Sequence, residues 1–148
     1  MKRVLFLCTH NSARSQMAEG LLRNLGDGEF EVFSAGTEVT RVHPVAIAAM
    51  RELGIDISHQ RSKHLDEYRG QKFDYVITVC DRANEQCPIF PDDPVRIHWS
   101  FTDPSSANGD TEAQLRVFRR VRDDIQGRIR TLITLARRDR AATTGRSS

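Results

Sequence analysis

Short apolar runs alternate along this chain with segments in which apolar residues recur every three or four positions. Unbroken runs are typical of strands that a parallel sheet buries on both faces, and they occupy 4–8, 30–33, 73–79 and, more weakly, 95–99. The periodic segments predict helices over 14–25, 44–53 and 111–136. Strands that alternate with helices indicate an α/β fold: a single-domain, doubly wound sheet of about four parallel strands flanked by helices.

The helical periodicity also predicts which side chains face the core. The first helix ends before Gly26, and the second begins at Pro44, a residue that suits the first turn of a helix. On the second helix we expect Val45, Ala49 and Leu53 on the inward face. On the third helix the inward stripe comprises Leu115, Phe118, Ile125, Ile129, Leu132 and Ile133.

Length and composition fit one globular domain. The chain has 148 residues, of which 39% are hydrophobic and 28% charged, and a chain of this size folds without disulfides or a metal. The formal net charge of +2 comes from the C-terminal end, where four arginines accompany Asp139, while the rest of the chain carries about −1. We therefore expect a folded domain over 1–136, an Arg-rich disordered tail over 137–148, and no nucleic-acid partner.

Hydropathy and cysteine usage indicate the compartment. No apolar run approaches the roughly 18 residues of a membrane span, and the first run ends at Cys8, too early for a signal peptide. We expect a cytoplasmic monomer with no membrane partner, in which the three cysteines rest as thiols. An odd number of thiols favours catalysis, redox exchange or metal binding. The histidines lack the short paired spacings of zinc sites, so we expect no metal.

A candidate oxyanion site follows the first strand. Cys8 ends that strand, five residues turn, and Arg14 and Ser15 open the first helix, at the sheet edge where α/β proteins bind ligands. Amides of the turn and the helix N-terminus would form an anion-binding nest, and Arg14 would grip two oxygens. Ser15 would donate to the Cys8 thiolate, which would face the bound oxyanion as a nucleophile. The turn consists of Thr9, His10, Asn11, Ser12 and Ala13.

The same residues have plainer interpretations. Cys8 can be an inert buried cysteine and Arg14 a surface residue of the helix, since this spacing also arises by chance. Asn11 suits a left-handed turn position from which it hydrogen-bonds the loop, whereas Thr9 and Ser12 can be ordinary turn residues. The placement between a strand and a helix is what favours the oxyanion site.

The stretch CTHNSARSQMAEG at 8–20 resembles the oxyanion loop shared by low-molecular-weight protein tyrosine phosphatases and the arsenate reductases of the same fold. The resemblance covers nearly the whole chain up to about residue 136, through FSAG at 33–36, GIDIS at 54–58, DYVITVCDRANEQCP at 74–88 and HWSFTDP at 98–104. It implies a low-molecular-weight phosphatase-like fold and a tetrahedral oxyanion, arsenate or phosphate, as substrate. His10 replaces a common glycine and Ala13 a frequent cysteine, and neither change removes a group that the chemistry needs.

Two further cysteines distinguish the branches of this family. Cys80 follows a strong strand, so it emerges at the same sheet edge as Cys8, and a flexible loop would bring Cys87 near. Phosphoester hydrolysis does not need these thiols, whereas reduction of As(V) to As(III) takes two electrons from a second thiol. The resemblance to thioredoxin-coupled arsenate reductases implies a Cys8–Cys80–Cys87 disulfide relay, with thioredoxin as electron donor and partner and no organic cofactor. The alternative is that both thiols are incidental.

Asp103 precedes Pro104 in the last of these motifs. An Asp before a Pro most often makes a turn, and here it would start a helical turn ahead of the C-terminal helix. In both branches of the family an Asp-Pro at this place supplies the general acid, so the resemblance implies that Asp103 protonates the leaving oxygen.

Arsenate reduction is the function that the sequence favours. One alternative is a phosphatase that acts on phosphotyrosine or small phosphoesters. Another is a non-enzymatic oxyanion or redox sensor, which would leave Asp103 without a role. The reductant stays open between thioredoxin, glutaredoxin with glutathione, and mycothiol.

Some thioredoxin-coupled relatives bind potassium beside the oxyanion loop, through oxygens that match Asn11, Glu19 and Ser34. Where their pattern supplies an Asp, this chain has Lys63. An ammonium cannot ligate a cation and repels one. We therefore expect Lys63 to fill the charge role, and potassium not to activate this protein.

Overall fold

The computed structural model describes residues 1–81 and 95–146. One parallel sheet has the strand order β2-β1-β3-β4 and is formed by β1 (Lys2–Cys8), β2 (Phe30–Gly36), β3 (Tyr75–Thr78) and β4 (Val95–His98). The helices are α1 (Arg14–Leu25), α2 (Pro44–Arg51) and α3 (Thr111–Arg146), with short 3₁₀ helices at Leu65–Tyr68 and Pro104–Ser106. The predicted class, four parallel strands flanked by helices, is confirmed. None of the helices in the described part of the chain has the length and apolar character of a membrane span.

Strand β1 lies between β2 and β3, and both of its faces are buried. Val4, Phe6 and Cys8 belong to a core that α1, α2 and α3 cover, whereas Leu5 and Leu7 belong to a second core. The second core is closed by side chains that follow α2 in sequence: Leu65, Tyr68 and Phe73. Burial on both faces explains why this strand is an unbroken apolar run.

The register of the sheet sets the position of the candidate site. Cys8 lies opposite Gly36 at the end of β2, and Leu7 lies opposite Thr78 on β3. Because the strands are parallel, the segments that follow them leave the sheet at one edge. The chain after β3 therefore brings Cys80 to the edge where Cys8 ends β1.

Of the three side chains predicted to face inward on α2, Ala49 is buried as expected, whereas Val45 and Leu53 are not fully buried. The buried side chains of the helix are Ala46, Ala49 and Met50. Val45 is only half-buried, and Leu53 is 39% exposed. The helix ends at Arg51, so Leu53 falls in the turn that follows, where the helical spacing no longer applies.

Helix α3 is longer than predicted. It continues past Ala136 to Arg146, so most of the segment that we expected to be a disordered tail is helical. The added segment contains no proline and is rich in Arg and Ala, which favour helices. The Tyr75 hydroxyl of β3 donates a hydrogen bond to Asp139. This long-range contact holds the extended helix against the sheet.

Candidate active site

The segment from Cys8 to Arg14 forms a tight loop between β1 and α1. Cys8 is 2% exposed, and Asn11 adopts the left-handed φ of +48° that suits this residue. A Cβ on Gly36 would stand 2.5 Å from the carbonyl oxygen of Thr9 and 2.6 Å from that of Cys8. Only a glycine at position 36 allows the end of β2 to lie this close to the loop backbone. The sequence interpretation did not include Gly36 in the site, although its place at the end of FSAG was an available signal.

The carbonyl oxygens of residues 9–13 are all held from outside the loop, by hydrogen bonds of 2.9–3.1 Å. The Thr9 carbonyl accepts from the backbone N–H groups of Thr37 and Glu38, and the His10 carbonyl accepts from the hydroxyls of Thr40 and Ser62. The Asn11 carbonyl accepts from the side-chain amide of Gln16. The Ser12 carbonyl accepts from the His43 N–H, and the Ala13 carbonyl accepts from the Met17 N–H. The C=O and N–H groups of a trans peptide point in opposite directions. This arrangement therefore turns the loop amides inwards and gives the loop the form of an anion-binding nest.

The Cys8 sulfur lies 2.8 Å from the hydroxyl oxygen of Ser15. Asn11 Nδ2 donates to the same hydroxyl oxygen at 2.8 Å, so the hydrogen of Ser15 is available to the sulfur. Asn11 is held in this orientation because the Lys63 N–H and Gln16 Nε2 donate to its Oδ1 at 2.8 and 3.0 Å. The Ser15 hydroxyl is thereby oriented to donate its hydrogen to the Cys8 sulfur, and a hydrogen bond in this direction stabilises a thiolate.

A buried ion pair lies next to Asn11. Asn11 Nδ2 also donates to Ser34 Oγ at 3.0 Å, and the Ser34 hydroxyl donates to Glu19 Oε1 at 2.5 Å. Lys63 Nζ lies 3.8 Å from the same carboxylate oxygen, and both charged side chains are 7% exposed. Burial lowers the pKa of Lys63, and the charge of Glu19 opposes this shift. The structure thus brings together Asn11, Glu19 and Ser34, whose oxygens match the cation site of some relatives, and Lys63, whose ammonium lies beside them.

Arg14 and Asp103 meet at the mouth of the loop. Arg14 is 2% exposed, and its Nη1 donates to the Phe101 carbonyl at 3.2 Å. Its Nη2 lies 3.7 Å from Asp103 Oδ2. The other carboxylate oxygen of Asp103 accepts from the N–H and hydroxyl of Ser105, at 3.0 and 2.6 Å, and caps the 3₁₀ helix at Pro104–Ser106. Asp103 therefore starts a helical turn and faces Arg14 at the same time.

The expectation that all three cysteines rest as thiols does not hold for Cys80 in this structure. Cys8 is a buried free thiol, whereas Cys80 is fully buried and disulfide-bonded. Cys80 is therefore not bonded to Cys8 in this structure. The predicted relay residue Cys87 lies outside the described residues. Among the residues that the structure does describe, no group of three or more His, Cys, Asp or Glu side chains is placed to hold a metal.

The remaining loop side chains have distinct surroundings. Thr9 Oγ1 is buried and has no hydrogen-bond partner within the described ranges. Leaving a buried polar group unpaired costs about 1–3 kcal/mol. His10 lies on the rim, 45% exposed, with its Nδ1 2.8 Å from Glu38 Oε2. Ser12 is half-buried, and Ala13 is buried at 4% exposure.

Known proteins resemble this chain over nearly its whole length. The family "Low molecular weight phosphotyrosine protein phosphatase" matches residues 3–142. An arsenate reductase from Halalkalibacterium halodurans is 49% identical over 130 residues, which are 88% of this chain and 94% of that protein. A solved arsenate reductase in the phosphate-binding state superposes with a TM-score of 0.78 at 40% identity, covering 90% of this chain and 98% of the other. A thioredoxin-dependent arsenate reductase from Corynebacterium glutamicum gives a TM-score of 0.68 at 30% identity, covering 92% of this chain and 63% of that chain.

Proposed function

The chain belongs to the low molecular weight phosphotyrosine protein phosphatase family, and within that family we propose that it is an arsenate reductase. The similarity to arsenate reductases in sequence and structure supports this proposal. The observation that carries it is the second buried thiol position, Cys80, at the sheet edge where Cys8 ends β1. Hydrolysis of a phosphoester needs one cysteine, whereas reduction of a bound oxyanion needs another thiol to supply electrons.

In the first step the Cys8 thiolate attacks the arsenic of an arsenate that the loop amides and Arg14 hold. An S–As bond forms and an As–O bond breaks. Asp103 gives its proton to the departing hydroxyl, which leaves as water. The 3.7 Å between Arg14 and Asp103 supports a site in which both side chains act on one oxyanion.

In the second step Cys80 attacks the sulfur of Cys8. The S–As bond breaks, and its electron pair stays on arsenic, which leaves as arsenite while a Cys8–Cys80 disulfide forms. Cys87 then attacks Cys80, releases Cys8 as a thiolate and leaves a Cys80–Cys87 disulfide.

Thioredoxin is the proposed electron donor. Its dithiol reduces the final disulfide and is itself oxidised, which returns all three cysteines to thiols. The similarity to a thioredoxin-dependent arsenate reductase supports this choice. We also propose that the protein is a monomer and that it acts in the cytoplasm, since a disulfide that is reduced in every cycle needs a reducing compartment.

Two serine variants test the relay. Cys80→Ser leaves no second thiol for the Cys8 adduct, so it should release essentially no arsenite and keep any phosphoester hydrolysis. Cys87→Ser retains the first two thiols, so it should release about one arsenite per enzyme and stop as a Cys8–Cys80 disulfide. Single-turnover arsenite counts, with mass mapping of the disulfides, measure both outcomes. Cys8→Ser is the control that should abolish reduction and hydrolysis alike.

Sustained thioredoxin-driven turnover by both variants would contradict the relay and assign the resolving step to an external thiol. A wild-type protein that hydrolyses phosphoesters but releases no arsenite with any thiol donor would contradict arsenate reduction itself.

A further inference from the structure

His43 joins the candidate oxyanion loop to helix α2. Its backbone N–H donates to the Ser12 carbonyl at 3.0 Å, and its own carbonyl accepts from Ile47 at 3.1 Å. Its ring Nδ1 accepts from the Val45 N–H at 3.1 Å and so caps the helix N-terminus. A single residue therefore fixes the start of α2 and one carbonyl of the loop.

The ring of His43 is held in one form by these contacts. It packs on Phe118 of α3, with ring centroids 4.7 Å apart and an interplanar angle of 39°. Only an unprotonated Nδ1 can accept from the Val45 N–H, so the ring is neutral and carries its hydrogen on Nε2. Protonation at Nδ1 would place two hydrogens face to face and remove the cap.

The Ser12 carbonyl and the Ala13 N–H belong to the same planar peptide. When His43 holds the carbonyl on the outside of the loop, the Ala13 N–H is directed to the inside. Ala13 is only 4% exposed and immediately precedes α1, where helix N-terminal amides favour anions. The orientation of this amide thus depends on His43, a residue outside the loop.

We propose that His43 is a positioning residue for oxyanion binding: its neutral ring fixes the start of α2, and with it the Ser12 carbonyl and the Ala13 amide, in the geometry that receives the anion. This inference rests on the proposed function, since it concerns the same loop. The inference adds His43, a residue outside the loop, to those that determine oxyanion binding. The contribution of His43 to binding depends on the protonation state of its ring.

The groups around the ring determine when it is neutral. Burial and the nearby charge of Arg41 lower the pKa of His43 from 6.5, while Asp103, from the loop after β4, acts in the opposite direction. Phe118, which packs on the ring from α3, is uncharged. The ring therefore stays neutral at neutral pH, and the cap is lost only as the pH falls below 6.5.

The test measures by calorimetry how tightly three proteins bind inorganic phosphate between pH 8 and pH 5. The three proteins are the wild type, His43→Asn and His43→Ala. Asn caps a helix through its side-chain oxygen at every pH. We expect His43→Asn to match the wild type at pH 8. It should bind up to about fivefold more tightly than the wild type once the pH is low enough to protonate the His43 ring, a point that an NMR titration of this ring determines. His43→Ala should bind about fivefold more weakly at pH 8. Comparing variants at the same pH cancels the titration of phosphate.

His64→Asn is the matched control. The His64 ring also accepts through Nδ1, from the Asp66 N–H at 3.0 Å, but it caps the 3₁₀ helix on the other core. This variant should follow the wild-type pH profile.

Superimposable pH profiles for the wild type and His43→Asn would overturn the inference, and this comparison holds even where His43→Ala folds poorly. Wild-type affinity in a folded His43→Ala at pH 8 would also overturn it. A wild type that binds no phosphate at any pH would instead contradict the proposed function, and this inference with it.

Discussion

The ammonium group of Lys63 and the carboxylate of Glu19 form a buried pair beside the oxyanion loop. A buried carboxylate without a positive partner is costly, and this chain supplies the partner from its own side chain. Lys63 is anchored by a hydrogen bond of 2.7 Å from Nζ to the Arg61 carbonyl, while its backbone N–H holds Asn11. Arg23 pairs with the other carboxylate oxygen of Glu19 at 2.8 Å. Lys63 therefore shares in balancing the charge of Glu19 and also orients the loop.

Potassium should not activate this protein, because the ammonium of Lys63 lies where a cation would sit and repels it. The measurement is thioredoxin-driven arsenite release in KCl and in NaCl at matched ionic strength, and the two rates should agree. Acceleration of several-fold in KCl would contradict this assignment of Lys63.

The sequence interpretation identified side chains whose chemistry is local. Cys8, Arg14 and Asn11 lie in one short segment whose position between a strand and a helix is readable from the pattern, and the structure brings them together. Gly36 and His43 were not identified as site residues. Both residues support the backbone of the oxyanion loop, which is distant from them in sequence. Hydrophobic periodicity carries no information about such long-range contacts.

At the level of elements, α2 and α3 are joined by a cluster of ion pairs. Glu52, just after α2, accepts from Arg119 at 2.6 and 2.9 Å and from Arg122 at 2.9 Å. Arg122 also donates to the Ala49 carbonyl at 2.8 Å. A single carboxylate thus connects the C-terminal end of one helix to two turns of another.

The contribution of Glu52 to stability should depend on pH. Its hydrogen bonds to Arg119 lower its pKa from 4.5 to about 2. A carboxylate with a lowered pKa stabilises the fold above its unfolded value and loses that effect as the pH falls from 4.5 towards 2. Because the pair is partly exposed, Glu52→Gln should cost about 0.5–1 kcal/mol at pH 7, or about 1–4 °C in Tm.

The difference in Tm between Glu52→Gln and the wild type should therefore shrink between pH 5 and pH 3 in thermal unfolding scans. Glu112→Gln is the control, since that carboxylate is more exposed and contacts Arg119 only at 3.4 Å. An unchanged difference from pH 7 to pH 3 would show that the charge of Glu52 is not what stabilises the helix pair.

The limits of sequence-based prediction at this scale have physical causes. The start of α1 at Arg14 was predicted, because its apolar stripe runs over three turns. On α2 only Ala49 of the three predicted inward positions is fully buried, since a helix of 8 residues offers too few repeats to fix its rotation. The end of α3 was wrong because the hydrogen bond from Tyr75 to Asp139 joins distant parts of the chain.

At the scale of the whole molecule, Arg14 connects the segment after the inner strand β1 to the segment after the edge strand β4. It begins α1, and it donates to the Phe101 carbonyl and faces Asp103, both of which follow β4. An oxyanion that binds Arg14 therefore holds a side chain that joins both halves of the chain. Binding should stabilise the entire fold and not only the loop.

Phosphate should raise the Tm of the wild type by about 5–10 °C at a hundred times its Kd, which corresponds to about 2.7 kcal/mol. Arg14→Lys keeps the charge but loses the planar fork that contacts two oxygens, so most of this shift should disappear. Thermal unfolding in phosphate, against chloride at equal ionic strength, measures the effect. Equal shifts in both proteins would contradict the role of Arg14 in binding the anion.

The supports of the oxyanion loop lie in four places along the chain: the loop after β2, the start of α2, the segment before the first 3₁₀ helix, and α1 itself. The segment from Cys8 to Ser15 therefore depends on the rest of the fold for its conformation. A peptide with the sequence of 8–25 would keep Cys8, Arg14 and Ser15 but lose the partners of three of the five loop carbonyls, those of Thr9, His10 and Ser12. Transplanting this chemistry requires moving the surroundings of Gly36, His43 and Ser62 along with the motif.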